Sequence, residues 1–126
     1  MTDEAGFTFL NLNPYRKRTG DCVIRAVACA LDVDWLEASD ALYLTARNIG
    51  CEMSCLGCYT VLFSDLGLFE VDVRGMSVGE VAACYPDEVM LIRMKGHLTC
   101  ARYGSVMDIW DCRELDADRA WIVEQR

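Results

Sequence analysis

Thr19-Gly20-Asp21-Cys22-Val23-Ile24-Arg25-Ala26-Val27-Ala28-Cys29-Ala30-Leu31 is a helix-like stretch with almost no polar face. Val23, Ile24, Ala26, Val27, Ala28, Ala30 and Leu31 cover nearly the whole circumference, and a helix that is apolar all round belongs inside other structure. Arg25 alone breaks the pattern. Gly20 supplies a hinge and Asp21 is a good N-cap, so Cys22 takes the first helical position, where unpaired N–H groups and the positive end of the dipole gather. A thiol placed there has a lowered pKa, and the thiolate is the nucleophilic form. The competing reading is a small buried hydrophobe, the usual fate of a free cysteine.

Outward from this helix, residues 1–18 carry few periodic signals. Phe7, Phe9 and Leu10 can lie on the core, Asn13-Pro14 marks a turn, and Arg16-Lys17-Arg18 is a basic cluster just before Cys22 that either favours a thiolate or is a solvated loop. On the other side, Asp34-Trp35-Leu36-Glu37 opens a second helix with a carboxylate three residues after its cap; Trp35, Ala38, Ala41, Leu42 and Thr45 form one face, and Gly50 is the stop. A third helix is expected from about Ser54 to Leu66, ending at Gly67. The character then changes. Phe69 to Val73 alternates apolar and acidic residues like a half-buried strand, and Ser77-Val78-Gly79-Glu80 opens a short helix that Pro86 closes. Val89 to Met94, Leu98 to Tyr103, Val106 to Trp110 and Ala120 to Val123 read as strands. Helices first and strands afterwards predict an α+β domain with a C-terminal antiparallel sheet, on which the N-terminal helices pack.

With 126 residues, 53% of them hydrophobic, the chain is expected to form a single domain over residues 1–126 with a core of its own. The N-terminus lacks a basic region followed by an apolar run, and no stretch approaches the roughly 18 apolar residues of a membrane span. The expected location is therefore the cytoplasm, with no membrane partner. A net charge of −8 argues against nucleic acid as a direct ligand and suits a basic protein partner. Eight cysteines without a secretory signal are expected as reduced thiols, with Cys29, Cys84 and Cys100 filling core positions.

His97 is the only histidine. It follows Gly96 at a strand start, and the chain turns through Tyr103-Gly104-Ser105 into a strand carrying Asp108, with Asp111 beyond. A two-residue loop sets His97 opposite Trp110 or Cys112, so that Asp108 shares the face of His97 and Asp111 points away. A three-residue loop or a bulge reverses the parity and favours Asp111. The favoured register selects Asp108. In order, the chain offers a helix-start Cys22, a strand-start His97 and a carboxylate on the next strand, the set needed for a base-activated thiol. Trp110 either shields the His97–Asp108 pair from water or is an ordinary core aromatic.

Asp21-Cys22 opening the apolar helix, Gly96-His97 opening a strand and Asp108-Ile109-Trp110 on the hairpin partner together resemble a papain-like cysteine peptidase of minimal size. Asp-Cys at the helix start is similar to the bacteriocin-leader peptidases, and Asp108-Ile109-Trp110 resembles the Asn-Ser-Trp that follows the histidine in papain relatives. The pattern also resembles small proteins of gut bacteria and phages, over roughly residues 13 to 112. The resemblance implies a papain-like fold, a peptide or protein substrate, a mechanism without a cofactor, and Cys22, His97 and Asp108 as nucleophile, base and orienting carboxylate. Cleavage of a peptide, isopeptide or amide bond is the implied reaction. One departure stands out: many relatives place glutamine six residues before the cysteine to help hold the oxyanion, and here that position is Arg16. An arginine, Asn13 or the backbone N–H of Cys22 are the alternatives.

Two further readings compete. Cys51-x-x-x-Cys55-x-x-Cys58 has the spacing of an iron–sulfur motif whose enzymes need a far larger barrel, and a zinc site would have to recruit Cys84 or His97 without a second Cys-x-x-Cys pair. No metal is expected. The other reading keeps the papain-like fold but makes the chain a catalytically idle acidic module that sequesters a basic protein.

Overall fold

The computed structural model describes residues 5–15 and 21–123. Its elements in chain order are β1 (Phe7–Phe9), α1 (Cys22–Leu31), α2 (Trp35–Ile49), α3 (Leu56–Asp65), β2 (Phe69–Val71), α4 (Val78–Cys84), β3 (Val89–Met94), β4 (His97–Arg102), β5 (Ser105–Asp108) and β6 (Arg119–Val123). The class is α+β: four helices and a six-stranded sheet in the order β1-β5-β4-β3-β6-β2. None of the helices among the described residues is long and apolar enough to cross a membrane.

The sheet is mixed, which corrects the expected all-antiparallel arrangement. β1 runs parallel to β5, pairing Phe7 with Val106 and Phe9 with Asp108. The other pairings are antiparallel. Three residues are too few to show an alternation, and the partner strand lies almost a chain length away. Without β1, β5 would be an open edge at the end that carries Asp108.

β3 is buried along nearly its whole length because both sheet faces are covered. Val89 and Leu91 face a core with Val27, Leu42, Phe63 and Trp121, contributed by α1, α2, α3 and β6. Met90, Ile92 and Met94 point the opposite way, into a smaller core with Val78, Val81 and Val106. The helices therefore flank the sheet on both sides, and α1 lies deepest, with Val27 fully buried.

Local signals explain the other ends. Asp34 Oδ1 accepts the Glu37 N–H at the start of α2, and Gly50 closes that helix at φ 75°. Ser77 and Glu80 form a reciprocal capping box on α4. Asp21 departs from expectation. It occupies the N-cap position of α1, but its side chain caps nothing. Cys84 is another correction: it is exposed at the end of α4, whereas Cys29 and Cys100 are buried as expected. The strand foreseen over Phe69 to Val73 is shortened to an edge strand whose Phe69 is exposed, and that foreseen over Val106 to Trp110 stops at Asp108.

Candidate active site

β4 and β5 are joined by the two-residue loop Tyr103-Gly104, with Arg102 opposite Ser105 and Cys100 opposite Met107. Both loop residues have positive φ, 53° and 87°, the backbone of the tight hairpin turn whose twist matches that of the strands. Continuing the register brings Asp108 to Thr99, two residues along the same face from His97. The side chains show the result: His97 Nε2 lies 2.7 Å from Asp108 Oδ2, and Thr99 Oγ1 donates to the same oxygen at 2.6 Å. The Ile109 N–H donates to Asp108 Oδ1 at 2.7 Å. Asp111 stands apart, in an exposed pair with Arg113. The even loop, not a bulge, decides between the two carboxylates.

Cys22 is the first residue of α1, as its position after Gly20-Asp21 predicts. The helix start lies against the first residues of β4. There the thiol and the His97 ring line one cleft, near enough for the ring and the Leu98 N–H to favour the thiolate. With Nε2 on Asp108, Nδ1 is the ring nitrogen left for the sulfur. Burial raises the Cys22 pKa, but the hydrogen bonds from His97 and Leu98 and the positive charges of His97 and Arg25 outweigh it, and the net movement is below the ordinary 9.0. For His97, burial disfavours the cation, while hydrogen bonds to Asp108, Cys112 and Cys22 carry the pKa up to about 11. The order of the two groups is thereby inverted. A lowered thiol pKa beside a raised imidazole pKa favours a thiolate–imidazolium pair.

No family model matches this chain, and comparison with curated proteins and with solved structures found no match.

The residue that sequence reading left without a role is Arg25. Its side chain is 8% exposed, and it lies between two buried carboxylates. Its guanidinium donates to Asp21 Oδ1 through Nη1, and Nη2 stands 3.9 Å from Asp108 Oδ1. Asp21 also accepts from Asn13 Nδ2 and Trp35 Nε1, each at 2.9 Å. Asp21 thus ties the entering chain, α1 and α2 together instead of capping α1. The same contact corrects Asn13 as a source of oxyanion stabilisation, because its side-chain amide is directed to Asp21. Arg16 and the cluster Arg16-Lys17-Arg18 lie outside the described residues. A lone arginine in an otherwise apolar helix was the available signal for this network, since a buried cation requires an anionic partner.

Trp110 is half-exposed and its ring centroid is 5.0 Å from that of His97, tilted by 50°. It covers one flank of the imidazole. Cys112, fully buried, reaches Asp108 Oδ2 at 3.9 Å. His97, Asp108 and Cys112 are the group among the described residues whose ligand atoms lie within 4.8 Å of one another, so they could offer three donors to a transition metal. In the arrangement present those atoms already satisfy each other by hydrogen bonds. Cys51, Cys55 and Cys58 do not gather with Cys84 or His97 into one such group.

A cleft of about 280 Å³ opens over the thiol, with Cys22, Tyr59, Arg93, Gly96 and His97 in its walls. Val23 and Ser54 belong both to it and to a larger groove of about 700 Å³ between α1 and the end of α2, where Tyr43, Arg47 and Met53 contribute.

Asp108→Asn removes the charge that holds the His97 proton, so the ring becomes a weaker cation and stabilises the thiolate less. The acid limb of Cys22 alkylation by iodoacetamide, followed by mass spectrometry against pH, should therefore move to higher pH in this variant. An unmoved limb means that Asp108 does not govern the pair.

Proposed function

We propose that the chain is a papain-like thiol hydrolase that acts in the cytoplasm on a peptide or protein substrate, cleaving a peptide, isopeptide or amide bond. The observation that carries this reading is the His97 imidazole bound to the Asp108 carboxylate and sharing one cleft with the thiol at the start of α1. The family assignment rests on the residues quoted for it and on this arrangement.

In the proposed reaction Cys22 Sγ attacks the carbonyl carbon. The backbone N–H of Cys22, one of the amides that a helix start leaves unpaired, receives the charge developing on the carbonyl oxygen in this scheme. The imidazolium of His97 gives its proton to the departing amine as the C–N bond breaks, leaving a thioester and a neutral ring. Water then enters; His97 takes one of its protons while the hydroxide oxygen bonds to the acyl carbon, and the C–S bond breaks to restore the pair. Asp108 keeps the ring in the tautomer that presents Nδ1 to sulfur. No step requires a cofactor.

The test is a peptide-like electrophile, such as a peptidyl epoxide, offered to the folded chain at neutral pH. The expected adduct is on Cys22, formed well ahead of reaction at the other seven cysteines. Equal labelling of all eight would leave an acidic binding module in place of an enzyme.

A further inference from the structure

On the Nε2 side of the imidazole three donors of different kinds converge. His97 Nε2, Asp108 Oδ2 and Cys112 Sγ all lie within 4.8 Å of one another. The carboxylate oxygen is their common point: His97 Nε2 stands 2.7 Å from it, Cys112 Sγ 3.9 Å, and Thr99 Oγ1 donates to it at 2.6 Å. The other oxygen, Asp108 Oδ1, is engaged separately by the Ile109 N–H and by Arg25. Cys112 comes four residues after Asp108, past the end of β5, and otherwise belongs to the smaller apolar core with Val78 and Val106. A thiol that only fills a core needs no carboxylate beside it, yet this sulfur is turned to one. The place is dry: the side chains of His97 and Asp108 are 10% and 5% exposed, and Cys112 is fully buried. A dication there requires anionic ligands, and one thiolate with one carboxylate supplies two charges.

We propose that His97 Nε2, Asp108 Oδ2 and Cys112 Sγ bind one zinc ion, and that the bound ion takes His97 out of the chemistry at Cys22. Three protein donors of this kind leave zinc a fourth position for water. Thiolate and imidazole together select zinc over magnesium or calcium. The ligands of tetrahedral zinc stand ~3.3–3.7 Å apart, so the His97–Asp108 contact opens by ~0.6 Å on binding, a movement of one ring at a strand end. Thr99 remains a donor to the carboxylate and orients it from outside the ligand set. Cys112 releases its thiol proton and His97 its Nε2 proton to solvent, so the ion replaces the hydrogens that now hold the three groups together. The neutral ring then keeps its one proton on Nδ1, on the side of Cys22. Such a ring cannot take a proton from water at Nδ1, and it can give that proton up only by becoming an imidazolate. Its work as acid and base stops. That consequence rests on the proposed hydrolase; the binding of zinc does not.

Because His97 is the only histidine, nitrogen NMR of the full parent chain reads the ring directly. The chain, stripped of metal by a chelator and kept reduced by a phosphine, is titrated with zinc. At one equivalent Nε2 is expected to take the shift of a metal-bound nitrogen and Nδ1 that of a protonated one. Coordination through Nδ1, which would put the ion on the Cys22 side, or no change at either nitrogen overturns the proposal. Cobalt in place of zinc should give a thiolate-to-cobalt charge-transfer band that Cys22→Ser retains and Cys112→Ala loses. A band that survives Cys112→Ala places the ion on other thiols and also overturns it; the nitrogen shifts, read on the parent, do not depend on that variant folding. The zinc-loaded parent should react with a peptidyl epoxide at Cys22 ~10²-fold more slowly than the metal-free parent, whereas Cys112→Ala should react equally fast with and without zinc. A loaded parent that labels as fast as the metal-free one overturns the effect on His97. Failure of the metal-free parent to label would sink the hydrolase, while the nitrogen shifts still decide the site.

Discussion

Replacing Cys22 by alanine is expected to abolish acylation by the electrophilic peptide and any turnover, and His97→Ala should slow both by ~10²–10⁴-fold. The two losses differ because the groups do different things. Without the sulfur no covalent intermediate exists. Without the imidazole the sulfur keeps its place at the head of α1, its Leu98 N–H contact and the field of Arg25, but loses the strongest favourable partner of its charge and the proton donor for the leaving amine. A slow reaction at elevated pH should therefore survive in His97→Ala, where hydroxide ionises the thiol directly. Rates measured against pH for the three proteins, with unfolding midpoints to show that each variant is folded, check this. Should His97→Ala react with the peptide electrophile as fast as the parent at neutral pH, the imidazole does not activate Cys22 and the proposed mechanism fails.

Cys22 and its partners were readable from the sequence because each depended on a local rule. Gly20-Asp21 before an unbroken apolar run places a helix start at Cys22 whatever else the fold does. The choice of Asp108 over Asp111 depended on the parity of one hairpin, and Tyr103-Gly104, able to take positive φ at both positions, settles it. The features that escaped are those whose partners lie far along the chain. Nothing within three residues of Phe7 announces that it will pair with Val106. Asp21 looked like a cap because an aspartate before a helix commonly is one; the donors that take it, Asn13, Arg25 and Trp35, converge only after α2 has folded back on α1. Cys84 sits at the end of a seven-residue helix, too short for its periodicity to say which face is buried.

Arg25→Met should lower the stability of the fold by ~3 kcal/mol, within the range found when one partner of a buried ion pair is removed. The estimate follows from what is left behind. Arg25 stands between Asp21 and Asp108, both at least nine-tenths buried. Methionine fills much of the aliphatic volume, so packing changes little and the loss is chiefly that of the cation. The two carboxylates do not become wholly orphaned, because Asn13 and Trp35 still donate to Asp21, and His97 and Thr99 to Asp108. That holds the cost towards the low end. Adding Asp21→Asn to Arg25→Met removes the charge whose main cation has gone while keeping a side-chain oxygen for Asn13 and Trp35, and should recover part of the loss. Urea unfolding of the parent, the single and the double variant gives the free energies, and an unchanged dependence on denaturant shows that the same surface is being exposed. A single-variant loss under about 1 kcal/mol, the level of an exposed pair, would mean that Arg25 does not carry the network. The same substitution should also raise the pH at which Cys22 ionises, since the Arg25 charge helps to hold that thiol below its ordinary value. Stability and thiol reactivity should thus move together in this variant, as they must if one buried cation serves both the helix start and the sulfur that opens it.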